Sequence, residues 1–571
     1  EDKKSMSKHY QFESYMSLTG SNADVRYAIK PSEELPILVN LYNRIAAKSN
    51  MPQLISVESQ VNLDKLVDDL MHHKSKSLIV SGSNDVYIQA LVNGINFLLE
   101  NIGNTIDFNR TLQTRKGSDE KFVGLIDELN AGNVDALLMY QVNPVYDHYN
   151  GEGFSSGLKK TEILVAISEY NDESAKLANY ICPDHNFLES WGDAEAYTGI
   201  YTLCQPAIRP IFNTRQAADS FLAWSGTDSD YHSYLKKFWE NNLFTTQDKH
   251  LVFNDFWNKS LQNGVYELDS PVKESPMYDF GFIESNKNKI KITQPEGIEL
   301  VLYEKTGIGT GKMANNPWLQ ELPDPISKAV WDNYIAISPK YASENGITQE
   351  DVLLIDNALE LPVLYQPGQP YGTASIAIGY GRKDIGKVAN GIGKNVYSYA
   401  SMKNGTKQFN AAVIIFEKTG KKYPLATTQT HHSMEGRPLV RETVLEKWRE
   451  KPSSGNEMHK LNEKKAVTLY DKPEYEGFHW GLNVDLNKCI GCSACVVACQ
   501  AENNVAVIGK EEVKNKRIMH WLRIDRYYSL VEREKPGPDT IYRIEPENPE
   551  VVHQPVMCQH CDNAPCENVC P

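Results

Sequence analysis

Eight cysteines crowd the end of this chain. They stand at Cys489, Cys492, Cys495 and Cys499, then at Cys558, Cys561, Cys566 and Cys570, while Cys182 and Cys204 are isolated in the middle of 571 residues. The first group reads C-x2-C-x2-C-x3-C and the second C-x2-C-x4-C-x3-C-P, closing on Pro571. A disulfide scaffold spreads its cysteines through a small chain, so this bunching argues against one. Zinc knuckles place four paired ligands on one ion and fit two sets of three-plus-one poorly. The spacing is that of iron–sulfur ligation, in which three close thiolates clasp one cube and the fourth reaches another cluster. Gly491, Ser493 and Ala494 leave room for the loop to wrap the cube, and Val496, Val497 and Ala498 begin a helix that carries Cys499 away. Cys489, Cys492 and Cys495 are therefore expected to hold one cluster, and Cys558, Cys561 and Cys566 a second. Cys499 and Cys570 each complete a cluster whose other ligands are expected beyond residue 571.

The rest of the chain has two textures. Up to about residue 290, apolar strand-length runs alternate with helical spacing. Ile37, Leu38 and Leu41, then Leu63, Leu66 and Leu70, recur at helical intervals. Strands are expected at Ser77–Val80, Val134–Tyr140 and Ile163–Ser168, and helices at Val86–Leu99, Phe122–Asn130, Phe154–Lys160 and Asp172–Tyr180. Such alternation implies a parallel, doubly wound sheet with helices on both faces. The loops SGSN (81–84) and QVNP (141–144) then fall at the carboxyl rim, where such sheets bind ligands. From about 290 the texture is mostly strands: Lys289–Ile292, Ile298–Glu304, Tyr334–Ile337, Val352–Ile355, Leu361–Tyr365 and Ala374–Ile378, with one helix at Pro339–Asn345. This reads as a β-barrel-like domain. Residues 420–475 are turn-rich and charged, as in a connector. No apolar run nears the ~18–20 residues of a membrane helix. Glu1 is no initiator, so both ends are expected to be internal to a longer protein, with any leader upstream.

The cysteine module resembles the four-cluster ferredoxin subunits of the molybdopterin oxidoreductases. ALLMYQVNPVY (136–146), Asp184-His185 with LESWGDAEAYTGIYTLCQPAIRPIFNTRQAADSF (188–221), and Tyr334–Pro339 with SIAIGYGR (375–382) resemble the large subunit of the same superfamily. Ordinary members keep these on separate chains. Their fusion, with ANNPWLQELPDP (314–325) and HWGLNVDLNKCIGCSACVVACQAENN (479–504), resembles the iron–sulfur subunit of alternative complex III, from about residue 36 onward. The resemblance implies an α/β fold in four regions: a molybdopterin-oxidoreductase-like doubly wound region at 1–290, a β-barrel-like domain at 291–420, a connector at 421–478 and a ferredoxin-like iron–sulfur domain at 479–571, incomplete at its C-terminus. It implies [4Fe–4S] clusters, one [3Fe–4S] cluster and no molybdopterin. The partners it implies are integral-membrane quinol-binding subunits, multihaem and monohaem c-type cytochromes and a terminal cytochrome oxidase. The place it implies is the periplasmic face of the bacterial inner membrane. On this reading the chain relays electrons from quinol to cytochromes with no catalytic residue of its own. The alternative is a catalytic molybdopterin oxidoreductase with a fused ferredoxin module.

Other residues are assigned blander roles. Glu189, Trp191, Asp193 and Gln205 are expected to be inherited loop packing. Cys182 and Cys204 are expected to be small buried apolar side chains. His431 and His432 point apart if on a strand and are expected on the connector surface. His520, Trp521 and His560 lie near the clusters, His560 either bonding a cluster sulfur or facing a partner. In KNKRIMHWLRIDRYY (514–528), the alternation from Trp521 to Tyr527 reads as a strand with one charged face, and the insert is expected to pack on the cluster domain or dock a haem protein. A net charge of −15 disfavours nucleic acid as its partner.

Overall fold

The structure, a computed structural model, describes residues 6–57, 61–268, 277–286, 295–434, 437, 439–455, 474–478, 480–528, 548–559, 561, 564–566 and 569. Cys570, His560 and the expected strand Lys289–Ile292 lie outside the described residues. The architecture is mixed α/β: a parallel sheet with helices, a curled seven-stranded sheet and a small ferredoxin-type module packed beside it.

Helices form where the spacing places them. Glu34–Lys48 and Asp64–His72 bury Leu38, Leu41, Ile45, Leu66 and Leu70 in one cluster with Leu91 and Ile95 of Val86–Leu98. Asp85 caps that last helix by accepting from Tyr87 N at 2.9 Å. Asp119–Ala131 starts on Ser118 and stops at Gly132, whose φ of +76° is the left-handed end glycine permits.

The parallel sheet has strands Ala136–Tyr140, Ile163–Ser168 and Tyr180–Pro183 in that order. Helices Asp119–Ala131 and Gly151–Leu158 cover one face through Ile126, Leu129, Phe154 and Leu158. On the other, Phe221 of Ala217–Trp224 meets Tyr140 edge-on at 6.1 Å.

Two expected elements are replaced. Residues 77–80 are extended but pair with no strand among the described residues. The buried Asn96 amide takes the place of a neighbour, accepting from Ile79 N at 3.0 Å and donating to Ile79 O at 2.7 Å. Asp172–Tyr180 is not a helix. The Asp172 carboxylate accepts from Ser174 N and Ala175 N and closes a single 3-10 turn at Ala175–Leu177, after which Tyr180 enters the sheet. An antiparallel sheet of Gly192–Tyr197, Ile200–Cys204 and Val265–Glu267 was not expected. Nor were helices Tyr231–Asn242 and Phe253–Asn263, which pack on it around Trp239, Phe256 and Trp257.

The curled sheet runs Ala412–Ile414, Ile298–Tyr303, Thr373–Ala377, Ile335–Ile337, Leu359–Tyr365, Asp351–Ile355, Phe416–Lys422. Its two edge strands are separated in sequence by Ile415 alone. Seven strands laid flat would hold their edges about 29 Å apart, so one residue spans them only because the sheet rolls up. Ile415 N donates to Asp356 Oδ1 at 2.9 Å and its carbonyl accepts from Asp356 N at 3.0 Å, pinning the seam to a hairpin turn. Leu300, Ile335, Ile337, Leu353, Ile355, Val363, Ala374 and Ile376 fill the interior.

Asn96→Ala is expected to lower stability by about 1–3 kcal/mol, because it strips a buried partner from the Ile79 backbone. Urea unfolding of the variant checks this, with Gln89→Ala as a half-exposed comparison.

Candidate iron–sulfur site

The first cysteine loop hangs between a turn and a helix. Asp485 O accepts from Lys488 N and Cys489 N at 3.1 and 3.0 Å. Gly491 and Ser493 both take left-handed backbone, at φ +77° and +65°, which folds Cys489-Ile-Gly-Cys492 back on itself. Helix Ala494–Glu502 then begins, and Cys495 and Cys499 stand one turn apart on it. Val496 and Gln500, on the adjacent face, are buried, Val496 against Leu322 and Ile524. Burial raises the Cys495 thiol above its ordinary value, and the nearby Cys489 and Cys492 add to this against the Val496 backbone N–H. Three cysteines gathered in one loop and the first turn of a helix suit a cationic iron core that takes them as thiolates. Asn503 Nδ2 lies 3.6 Å from Cys499 Sγ and 3.0 Å from its carbonyl.

Cys558, Cys561 and Cys566 are exposed and follow the strand Val551–Met557 directly. That strand pairs antiparallel with Leu522–Tyr528, from Leu522 opposite Met557 to Tyr528 opposite Val551. The ribbon sets the two cysteine groups relative to the barrel. Its inward face carries Ile524, Arg526, Tyr528 and His553. A Cβ on Gly491 would lie 2.5 Å from His553 Nδ1, so that ring presses on the backbone of the first loop. Toward the barrel, Lys328 Nζ donates to Ile524 O at 2.7 Å, Arg526 Nε to Ile326 O at 2.7 Å and Gln366 Nε2 to Tyr528 Oη at 2.8 Å. The segment ANNPWLQELPDP serves the same joint. Trp318 Nε1 donates to Val505 O at 2.9 Å, and Glu321 accepts from Gly509 N at 2.8 Å and Ile508 N at 3.2 Å. Among the described residues no three His, Cys, Asp or Glu side chains converge to hold a single metal ion.

The 514–528 string packs on the cluster domain, as one of its two expected roles. Its charge is not confined to one outward face, because Arg526 is buried among carbonyls while Arg523 and Asp525 pair on the other side at 3.0 Å. His432 corrects its expected surface position: it is half-buried, with Nδ1 3.3 Å from Arg526 Nη2. His520 is part-buried, with neither ring nitrogen hydrogen-bonded among the described residues, and Trp521 is exposed.

At the rim of the parallel sheet, Gln141, Asn143, Tyr146, Asp172 and Arg382 line a cavity of about 230 Å³. SGSN does not reach it. Ser81 instead bonds Glu34, and Asn84 bonds Lys407 O. Arg382 crosses the rim and grips Glu173 at 3.1 and 2.9 Å, lying over the Tyr146 ring. Burial would raise the Glu173 carboxyl, but Arg382, Lys383 N–H and the Asn143 amide overcome it and hold it below its ordinary value. Burial pushes Asp147, also on the wall, up to about 6. Asp147, Glu169 and Asp172 thus face Lys312 and an arginine already paired, a donor set that suits a phosphate-bearing pterin poorly. Trp191 stacks on His232 at 4.2 Å, Asp193 accepts from Trp239 Nε1 at 2.9 Å and Glu189 accepts from Ile211 N and Asn186 N, which is packing, as expected. Gln205 is exposed, and its carbonyl faces Cys204 Sγ at 3.8 Å. The two lone cysteines are not buried: Cys204 is exposed and Cys182 half-buried.

Residues 488–571 match the family model of the 4Fe-4S dicluster domain, and residues 79–222 that of Molybdopterin oxidoreductase. Over 93 residues the chain is 39% identical to the iron–sulfur cluster-binding subunit of menaquinone reductase from Nitratidesulfovibrio vulgaris, covering 16% of this chain and 31% of that one. Over 273 residues it is 24% identical to the molybdopterin-binding-like subunit of menaquinone reductase from the same organism, covering 46% and 38%. The chain therefore spans about a third of the length of the curated relatives it matches. Acetylene hydratase from Pelobacter acetylenicus shares the fold, with a TM-score of 0.50 at 11% identity over 72% of this chain and 74% of that one. A molybdopterin oxidoreductase-like domain and a 4Fe–4S dicluster domain are thus fused in one polypeptide.

Two outcomes are expected. Gly491→Ala forces a side chain into the His553 ring and a left-handed backbone costing about 1–2 kcal/mol, and is expected to lower the iron bound per chain, measured by iron and sulfide assay. Burial, then the Arg526 charge among others, holds His432 at about 4, and burial with Lys328 and Arg526 holds His553 at about 4, against an ordinary 6.5. Stability from these rings is complete above pH 6.5 and is lost as pH falls toward 4, because the unfolded chain takes up the protons first. Thermal unfolding across that window checks this, and His432→Gln is expected to flatten the slope.

Proposed function

We propose that this chain is an electron-transfer subunit of a quinone-linked respiratory oxidoreductase. In this reading Cys489, Cys492 and Cys495 hold one cluster and Cys558, Cys561 and Cys566 a second, with Cys499 and Cys570 as ligands to two further clusters. When bound, the clusters supply one-electron redox chemistry, and the chain's own residues fix their spacing and set the charge around them. The observation that carries the reading is that two stretches of one chain are similar to two different subunits of menaquinone reductase, one cluster-binding and one molybdopterin-binding-like. The ribbon and the Trp318–Glu321 segment support it by bonding the cysteine module to the barrel.

The finer reading is the iron–sulfur subunit of alternative complex III. It draws electrons from a quinol at a membrane subunit and passes them to c-type cytochromes and a terminal oxidase, from the periplasmic face. The relatives are named for the opposite direction, and a chain of clusters conducts either way according to the potentials at its ends. Among the described residues no helix is long and apolar enough to cross a membrane, so the quinol site belongs to a partner in this reading. One cluster is of the [3Fe–4S] type. The large domain holds no molybdopterin and acts as a support, a reading favoured by the acidic rim and the Arg382–Glu173 plug. The second reading, a catalytic molybdopterin enzyme, draws on the family match over 79–222.

Iron, sulfide, molybdenum and tungsten analysis of the purified full-length protein separates them. Iron and sulfide with no molybdenum or tungsten is expected, together with low-temperature EPR signals of reduced clusters. Stoichiometric molybdenum or tungsten overturns the support reading, and absence of iron overturns the wire. Cys495→Ser is expected to remove or convert one cluster signal.

A further inference from the structure

Two cations are buried behind the first cysteine loop, and among the described residues neither has a carboxylate within ion-pair distance. Lys328 is 1% exposed and Arg526 2%. Their hydrogen bonds go to neutral acceptors: Lys328 Nζ to Ile524 O, Arg526 Nε to Ile326 O and Arg526 Nη2 to His432 Nδ1. Among the described residues Arg526 Nη1 has no partner, and neither has Nδ1 of His553, the residue opposite Arg526 in the ribbon.

Glu13 pairs with Arg26 and Asp525 with Arg523, while Asp324, whose Oδ1 accepts from Ile326 N, Ser327 N and Ser327 Oγ, lends its charge to both cations without an ion pair to either. Burying a charge without a direct partner costs several kcal/mol in general, and one carboxylate offsets two cations only in part. Burial, then the Arg526 charge, pull the Lys328 ammonium down to about 7 against the opposing pull of Asp324 and Asp525. Such a site is stable when an anion stands next to it.

The contacts point to one place for that anion. Ile524, whose carbonyl Lys328 holds, packs on Val496 beside Cys495. Arg526 lies across the ribbon from His553, whose ring presses on Gly491 between Cys489 and Cys492. A cube with four thiolates is a net anion, and more so when reduced. We propose that Lys328 and Arg526 are the counter-charges of the cluster held by Cys489, Cys492 and Cys495, and that they set its potential by favouring the reduced form. They are positioning residues that touch no substrate. Electrons enter and leave the cluster singly.

This rests on the reading of the cysteines as cluster ligands, and the experiment keeps the two apart. Full-length protein carrying Lys328→Met or Lys328→Arg is compared with the unaltered chain by iron and sulfide content and by EPR-monitored redox titration. The expected result is that Lys328→Met moves one cluster signal to lower midpoint potential and Lys328→Arg restores it. Loss of clusters from Lys328→Met but not from Lys328→Arg also supports the proposal, since charge alone distinguishes them. Unchanged potentials in a fully loaded Lys328→Met overturn it. Loss of clusters from both variants overturns it as well, since a need that arginine cannot meet is one of shape. Lack of iron in the unaltered chain overturns the ligand reading itself.

Discussion

Arg526 cannot reach water, and the rest of the C-terminal half is arranged around that fact. Its backbone is held on both sides by the Gln429 amide, which accepts from Arg526 N at 2.9 Å and donates to Arg526 O at 2.7 Å. Its side chain fastens the ribbon to Ile326 of the barrel segment. With Ile524 and Tyr528 on the same face, it makes the ribbon a wedge with the barrel on one side and the first cysteine loop on the other. The loop, the ribbon and the 314–332 segment therefore hold one another in place. On the electron-transfer reading proposed above that rigidity matters, because transfer depends on the spacing between centres and on little reorganisation when charge moves.

Much of this was legible in the residues. The barrel strands are continuous apolar runs bounded by turns, and Ile298–Tyr303, Leu359–Tyr365 and Thr373–Ala377 stand within two residues of where the pattern puts them. The helix from Ala494 follows from small residues ahead of Val496 and Val497. What escaped was decided by single polar side chains acting on backbone. The run at 77–80 has strand composition, but Asn96 from 17 residues away satisfies Ile79 and no ladder forms. Asp172 converts an expected helix into one turn. Alternation along 521–527 announces a two-faced strand, yet nothing in it says which face is inward, and charge suggests the wrong one for Arg526. The helices around Trp239 and Trp257 carry helical spacing that becomes decisive only once their aromatic core is assembled.

The site divides in the same way. Cysteine spacing points to candidate ligands because the pattern is local, within one loop and one helix turn. The buried side chains behind that loop come from residues 328, 526 and 553, and no local pattern ties these positions together. The Arg382–Glu173 bridge likewise joins residues 209 apart, and it leaves a paired arginine at the rim of the parallel sheet beside Asp147, Glu169 and Asp172.

The seam at Ile415 has a consequence for assembly. The seam joins the two edge strands end to end with no ladder between them, so Phe416–Lys422 remains an edge. Its exposed charges, Glu417, Lys418, Lys421 and Lys422, oppose the addition of another strand there.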